Sequence, residues 1–113
     1  MKMETVGFNP VAVGWSRACR VEDIPKLGAR VVKSACGNIA IFRNAEDEVF
    51  ALHDKCPHKG GPLSQGIVYG RTVACPLHST NINLEDGHAV APDTGCTRSF
   101  PTKIENGEVF VQI

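Results

Sequence analysis

The apolar residues of the chain occur in short runs that are rich in β-branched and aromatic side chains and are separated by Gly, Pro, Asn and Asp. Runs of this length and composition are typical of β-strands, and they leave little room for helices. The pattern therefore predicts an all-β fold built from hairpins. The predicted strands are Val11 to Trp15, Arg30 to Lys33, Ile39 to Arg43, Val49 to His53, Thr72 to Cys75, Ile82 to Leu84, Ser99 to Ile104 and Val109 to Ile113.

Turn-forming residues separate several of these runs. Asp86-Gly87 and Asn106-Gly107 are the strongest hairpin signals, because Asn-Gly and Asp-Gly suit the tight turns that join antiparallel strands. Turns are also predicted at Cys36 to Asn38 and at Asn44 to Asp47. One helical turn at Glu22 to Ile24 is expected to end at the proline that follows it.

Two segments interrupt the strand pattern and are predicted to be loops. The first, about 54–66, contains Cys-Pro-His-Lys-Gly-Gly-Pro-Leu-Ser-Gln-Gly, with three Gly and two Pro in eleven residues. The second, 75–80, reads Cys-Pro-Leu-His-Ser-Thr and follows the next strand. Glycine allows the backbone to approach a bound group closely, so we expect the two loops to face each other around one.

The composition indicates one globular domain spanning residues 1–113. Apolar residues make up 42% of the chain and charged residues 21%, which is ordinary usage for a folded protein. Twelve basic and twelve acidic residues give no net charge, so we expect neither nucleic acid nor an anionic membrane surface as a partner. The sequence shows no signal peptide pattern and no apolar run of membrane-spanning length, so a cytoplasmic location is expected.

Four residues have the spacing of metal ligands. Cys56 and His58 form Cys-X-His, sixteen residues follow, and Cys75 and His78 form Cys-X-X-His. A proline follows each of these cysteines. Cys and His pairs at short spacing also form structural zinc sites, so a zinc module stays open as a distant alternative. The other cysteines, which have no partner at ligand spacing, are expected to be small buried or unreactive residues: Cys19, Cys36 and Cys96.

The two half-motifs, their prolines, the Gly-Gly-Pro-Leu segment and the spacing resemble the Rieske iron–sulfur family. The resemblance implies an antiparallel β-sandwich or barrel with a cluster-binding subdomain of two loops. It also implies a 2Fe-2S cluster in which Cys56 and Cys75 hold one iron while His58 and His78 hold the other. Two ferric ions, two sulfides and two thiolates sum to zero charge, whereas four thiolates would give minus two. Imidazole ligation therefore raises the potential from about −400 mV toward roughly −150 to +300 mV.

The residues around the ligands indicate the lower part of that range. The high-potential respiratory type has an additional cysteine in each loop, at the positions of Gly61 and Leu77. It also has a hydrogen-bonding Ser and Tyr at the positions of Thr80 and Ile82. Thr80 can still donate a hydrogen bond, but Ile82 cannot.

The chain contains no recognisable substrate site of its own: there is no two-His, one-carboxylate iron motif and no nucleotide-binding glycine loop. No catalytic residue is therefore expected, and the domain would serve a partner. The two loops and the segment Ala91 to Cys96 resemble the small subunits of assimilatory NAD(P)H-dependent nitrite reductases. That resemblance implies a large subunit carrying FAD, a 4Fe-4S cluster and sirohaem, which reduces nitrite to ammonium. One departure is Ser79-Thr80, where that family often has Asn-Trp.

A second role uses the same fold and cluster. A free Rieske ferredoxin would carry electrons from a reductase to a ring-hydroxylating dioxygenase. A strongly acidic surface would favour such a shuttle, whereas the zero net charge and the Pro92 to Cys96 segment favour the nitrite reductase subunit.

Overall fold

The computed structural model describes residues 15–34, 37–57, 61–76 and 80–112. Within these ranges the chain forms ten β-strands and two short 3-10 turns, Val21–Asp23 and Leu63–Gln65, and no α-helix. The strands are β1 Trp15–Arg20, β2 Gly28–Ser34, β3 Gly37–Arg43, β4 Val49–His53, β5 Ile67–Tyr69, β6 Thr72–Ala74, β7 Asn81–Asn83, β8 Ser99–Phe100, β9 Thr102–Glu105 and β10 Glu108–Gln112.

The strands form three antiparallel sheets. The first has the order β1-β10-β9, the second β2-β3-β4-β8, and the third β5-β6-β7. The two predicted loops flank the third sheet: one connects β4 to β5, and the other connects β6 to β7. This small sheet and its loops correspond to the predicted cluster-binding subdomain, and the prediction of an all-β antiparallel fold is confirmed.

Strand β3 lies at the centre of the molecule because both of its faces are buried. Side chains alternate between the faces of a strand, so neighbouring residues enter different cores. Ala40 and Phe42 pack toward the third sheet, together with Leu52, Val73 and Ile82. Ile39 and Ile41 instead join the core beneath the first sheet, with Cys19, Ile24, Val49, Ala51, Phe100, Val109 and Val111.

The predicted turns are found in the described residues except at Cys36 to Asn38, where Gly37 and Asn38 begin β3 and Cys36 lies outside the described ranges. Asn106 and Gly107 join β9 to β10 with positive φ angles of 53° and 76°, as a type I′ turn requires. After β7 the Gly87 amide donates to the Asn83 carbonyl at 2.7 Å, and the chain reverses direction. The returning segment pairs only through isolated bridges, so this turn does not join two full strands. The predicted helical turn is the 3-10 turn Val21–Asp23, one residue earlier than expected.

Several strand predictions need correction. Strand β1 extends from Trp15 to Arg20, whereas the sequence placed a strand at Val11 to Trp15, of which residues 11–14 lie outside the described ranges. The predicted strand Ser99 to Ile104 is two strands in different sheets, because Pro101 has no N–H to continue a ladder. The strand predicted at Ile82 to Leu84 is Asn81–Asn83, and β5 was not predicted.

A polar network fastens the third sheet to the second. Buried Asn44 donates its amide to the Gly70 carbonyl at 3.0 Å and to the Glu48 carboxylate at 2.8 Å. Arg71 donates to both oxygens of the same carboxylate, at 3.1 and 2.7 Å. Hydrogen bonds from Arg71, and then from Asn44, hold the pKa of Glu48 below its usual value. The network therefore fixes the β5–β6 turn against the β3–β4 turn.

The described residues contain no helix long and apolar enough to span a membrane.

Candidate metal centre

The two predicted cysteine ligands enter the same core. Cys56 follows β4 and is 2% exposed, and Cys75 follows β6 directly and is 1% exposed. Both belong to the apolar cluster that includes Phe42, Leu63 and Ile82. Neither cysteine forms a disulfide bond. The structure thus brings the two cysteines together in one core, as two thiolate ligands to one metal group require.

The two ligand loops are closed in the same way. The Cys56 amide donates to the Gly61 carbonyl at 2.8 Å, and the Cys75 amide donates to the Thr80 carbonyl, also at 2.8 Å. Each bond connects a cysteine to the residue five positions later, so each loop contains one cysteine and one histidine of the motif. The histidines, His58 and His78, lie outside the described residues.

A carboxylate closes the base of the first loop. Asp54 accepts a hydrogen bond from the Ser64 amide at 2.7 Å through one oxygen and from the Ser64 hydroxyl at 2.9 Å through the other. Asp54 is itself fixed to β3, since its amide donates to the Asn38 carbonyl at 2.9 Å. Sequence reasoning did not identify this pair, because the partners lie ten residues apart and neither belongs to a ligand motif.

Gly66 allows the first loop to approach the second. A Cβ atom at this position would collide with the carbonyl group of Ala74, the residue immediately before Cys75. The φ angle of Gly66 is −80°, which any residue can adopt, so the close approach and not the backbone conformation requires glycine here.

A third segment, residues 87–97, lies beside both loops. A Cβ atom built on Gly95 would be 3.2 Å from the Pro57 side chain in the first loop. The Val90 amide donates at 2.8 Å to the carbonyl of Asn81, the residue after the second loop. Thr97 donates its hydroxyl to the carbonyl of His53 at 3.3 Å. This segment therefore forms part of the surface around the ligand loops.

The cysteines without a ligand motif differ in environment. Cys19 is buried in the second core, and burial raises the pKa of its thiol. Its predicted role as a small buried residue is confirmed. Cys96 is exposed, so of the two expected roles only that of an unreactive thiol applies to it, and this stays a prediction. Cys36 lies outside the described residues.

The donor set fits an iron–sulfur cluster as far as the structure describes it. Two buried cysteines in one core can supply the two thiolates, and the loops that hold them carry the two histidines of the motif. Among residues 15–34, 37–57, 61–76 and 80–112 there is no group of three metal-binding side chains. This is the result expected when two of the four ligands, His58 and His78, lie outside these ranges.

Comparison with known proteins agrees with the geometry. Residues 14–112 match the family model of the Rieske-like [2Fe-2S] domain. The 3-phenylpropionate/cinnamic acid dioxygenase ferredoxin subunit of Photorhabdus laumondii is 33% identical over 97 residues, which cover 84% of this chain and 90% of that protein.

Two solved structures have the same fold over nearly their whole length. A chain from the complex of reduced oxygenase and oxidized ferredoxin in carbazole 1,9a-dioxygenase superposes with a TM-score of 0.77 at 26% identity, covering 89% of this chain and 94% of that one. A structure assigned as the NADH-dependent nitrite reductase small subunit of Mycobacterium tuberculosis superposes with a TM-score of 0.77 at 25% identity, covering 86% and 92%.

The family match supports an iron–sulfur cluster over the zinc alternative, and it agrees with the all-β fold and the paired loops. The chain belongs to the Rieske-like [2Fe-2S] domain family and is an electron-transfer domain with a Rieske-type 2Fe-2S cluster.

Proposed function

We propose that Cys56, His58, Cys75 and His78 hold the cluster and that the chain transfers single electrons as the small subunit of an assimilatory NAD(P)H-dependent nitrite reductase. The large subunit would carry FAD, a 4Fe-4S cluster and sirohaem and would reduce nitrite to ammonium. The small subunit would contribute no substrate-binding residue, so it is part of an enzyme without containing the catalytic site.

The ligand assignment is supported by the equivalence of the two loops. Each buried cysteine begins a loop that is closed by a hydrogen bond from its own amide, and each loop carries one histidine. When bound, the cluster supplies a one-electron redox couple. The protein contributes a dry environment for the sulfur atoms and loops that are closed by backbone hydrogen bonds. The prolines after each cysteine, Pro57 and Pro76, remove two amides that could otherwise donate to the sulfurs.

The observation that carries the nitrite reductase role is the position of the segment Ala91 to Cys96. Outside the ligand loops, the stretches whose sequences resemble the nitrite reductase small subunits are this segment, Trp15 to Pro25 and Ile39 to Arg43. The segment Ala91 to Cys96 lies against the first loop through Gly95, and the residue before it, Val90, donates its amide to the carbonyl of Asn81, just after the second loop. A partner that approaches the cluster would contact this surface, so residues there suit recognition of one particular partner.

A second role is favoured by a different observation. The dioxygenase ferredoxin subunit of P. laumondii is 33% identical to this chain and similar in length. The alternative function is therefore that of a free Rieske ferredoxin that carries electrons to a ring-hydroxylating dioxygenase. The two roles share the cluster and differ in the partner.

Co-expression with a nitrite reductase large subunit and with a ring-hydroxylating oxygenase distinguishes the two roles. We expect the chain to co-purify with the sirohaem protein in a fixed ratio and to support NAD(P)H-dependent reduction of nitrite. The matched control replaces the surface segment only, with Asp93→Ala and Thr94→Ala, and leaves the ligands intact. Electron transfer to the oxygenase without binding to the sirohaem protein would assign the ferredoxin role instead.

The midpoint potential is expected to lie below about +100 mV, in the lower part of the Rieske range. Ile82 is completely buried in the core that holds both cysteines. Its side chain has no hydroxyl that could donate a hydrogen bond to the cluster. Fewer hydrogen bonds to the cluster leave the added electron less stabilised and lower the potential. Protein-film voltammetry at pH 7 measures this value, and a midpoint above about +100 mV would show that other donors replace the missing hydroxyl.

Two further expectations accompany the proposal. The single domain over residues 1–113 stays a prediction, as does the cytoplasmic location. Partial proteolysis of the loaded protein and fractionation of the source cells would test them in turn.

A further inference from the structure

Asp54 carries a charge that the ligand motif does not account for. Both of its carboxylate oxygens accept hydrogen bonds, one from the amide and one from the hydroxyl of Ser64. Both oxygens are therefore held by donors of one residue, on the opposite side of the loop from Asp54 in sequence. Among the described residues its carboxylate is bound by Ser64 and by no cation.

The position of this charge relative to the proposed ligands is restricted by the chain. Asp54 is two residues before Cys56, so their Cα atoms are at most about 7 Å apart. Its amide is tied to Asn38 on β3, and its side chain is tied to Ser64, so the carboxylate is fixed from both ends. A fixed, half-buried negative charge interacts with a nearby redox centre more strongly than a solvated surface charge.

We propose that Asp54 is a positioning and tuning residue of the cluster: its carboxylate closes the first ligand loop on Ser64, and its negative charge disfavours addition of an electron to the cluster. The inference rests on the ligand assignment proposed above and not on the identity of the redox partner. It assigns separate roles to the two members of the pair, since Asp54 supplies the charge while Ser64 fixes its position.

The test compares Asp54→Asn with Ser64→Ala. Asp54→Asn removes the charge and keeps an oxygen that can accept from the Ser64 amide, whereas Ser64→Ala keeps the charge and loses one hydrogen bond. The matched control is Asp23→Asn, because Asp23 also accepts a backbone amide, from Arg20 at 3.1 Å, but lies outside both ligand loops. Iron, sulfide and the paramagnetic resonance spectrum of the reduced protein establish cluster content before the potential is measured.

We expect Asp54→Asn to raise the midpoint potential so that the ratio of reduced to oxidised cluster at a fixed ambient potential increases roughly threefold to tenfold, tenfold corresponding to about 59 mV for one electron. Ser64→Ala is expected to change this ratio less than Asp54→Asn, and Asp23→Asn is expected to leave it unchanged. An intact cluster with an unchanged potential in Asp54→Asn would overturn the proposal.

Asp54→Ser is a second neutral variant, in case the asparagine variant does not assemble. If both neutral variants lose the cluster while Ser64→Ala keeps it, the carboxylate itself is needed to retain iron, which overturns the assignment of separate roles to Asp54 and Ser64. A cluster absent from the unmodified protein would instead refute the ligand assignment, so the two failures are distinguishable.

Discussion

Serine at position 56 or 75 is expected to abolish cluster binding, with iron and sulfide falling to less than about a tenth of the wild-type content. The two thiols lie in one core, 2% and 1% exposed, and a thiolate is the nucleophilic ligand that iron–sulfur clusters require. A serine hydroxyl does not replace it at neutral pH. Iron and sulfide analysis of Cys56→Ser and Cys75→Ser, with the visible absorption spectrum, measures the loss.

Cys96→Ser is the matched control for the cysteine variants. Cys96 is an exposed free thiol outside the ligand motifs, so its replacement is expected to leave the cluster content unchanged. Full cluster content in Cys56→Ser would contradict the ligand assignment, as would a comparable loss of iron in Cys96→Ser.

Alanine at position 66 is expected to destabilise the folded protein by about 3 kcal/mol, the upper part of the range for overpacking. The added methyl group would collide with the Ala74 carbonyl, which belongs to the backbone immediately before Cys75 and cannot rotate away as a side chain would. The two ligand loops would have to separate. Urea unfolding followed by circular dichroism measures the cost, and cluster content is expected to fall in the same variant.

Gly70→Ala separates steric contact from backbone strain. Gly70 has a φ angle of +58° and open space around its Cα, so alanine there is strained but meets no neighbour. Its expected cost is about 1 to 2 kcal/mol, and its cluster content should remain that of the wild type. Equal destabilisation by the two variants would mean that close contact between the loops is not what requires Gly66.

The central part of the fold was predictable because its residues carry strong local signals. Strand β4 was predicted with its observed limits, Val49–His53, and the Asn106-Gly107 turn was predicted from its sequence alone. In both cases the pattern of side chains and the tertiary structure favour the same conformation. Strand β3 was also predicted, since its apolar run has both faces buried.

The elements that the sequence did not predict correctly depend on contacts between distant residues. Strand β5 has three residues, and two of them, Ile67 and Tyr69, are exposed, so its pairing with β6 and not its own burial makes it a strand. Strand β1 is an edge strand in which half of the residues are polar, and it is held by its pairing with β10. Neither contact leaves an apolar pattern in the local sequence.

The candidate site shows the same division. Its ligand residues were predictable because metal chemistry requires particular residue types at short spacing. The supporting residues, Asp54 and Ser64, were not predictable, because an aspartate two residues before a cysteine and a serine after a leucine are no motif. Only the fold places Asp54 against Ser64 and Gly66 against Ala74.

The most direct test of the cluster and its ligands is pulsed electron paramagnetic resonance of the dithionite-reduced protein labelled with ¹⁵N-histidine. Iron and sulfide are to be quantified on the same sample. The account predicts two irons, two sulfides and one unpaired spin per chain, coupled to nitrogen atoms of two histidines. A silent sample that contains zinc and no sulfide would contradict it, as would a cluster signal with no histidine nitrogen coupled to it.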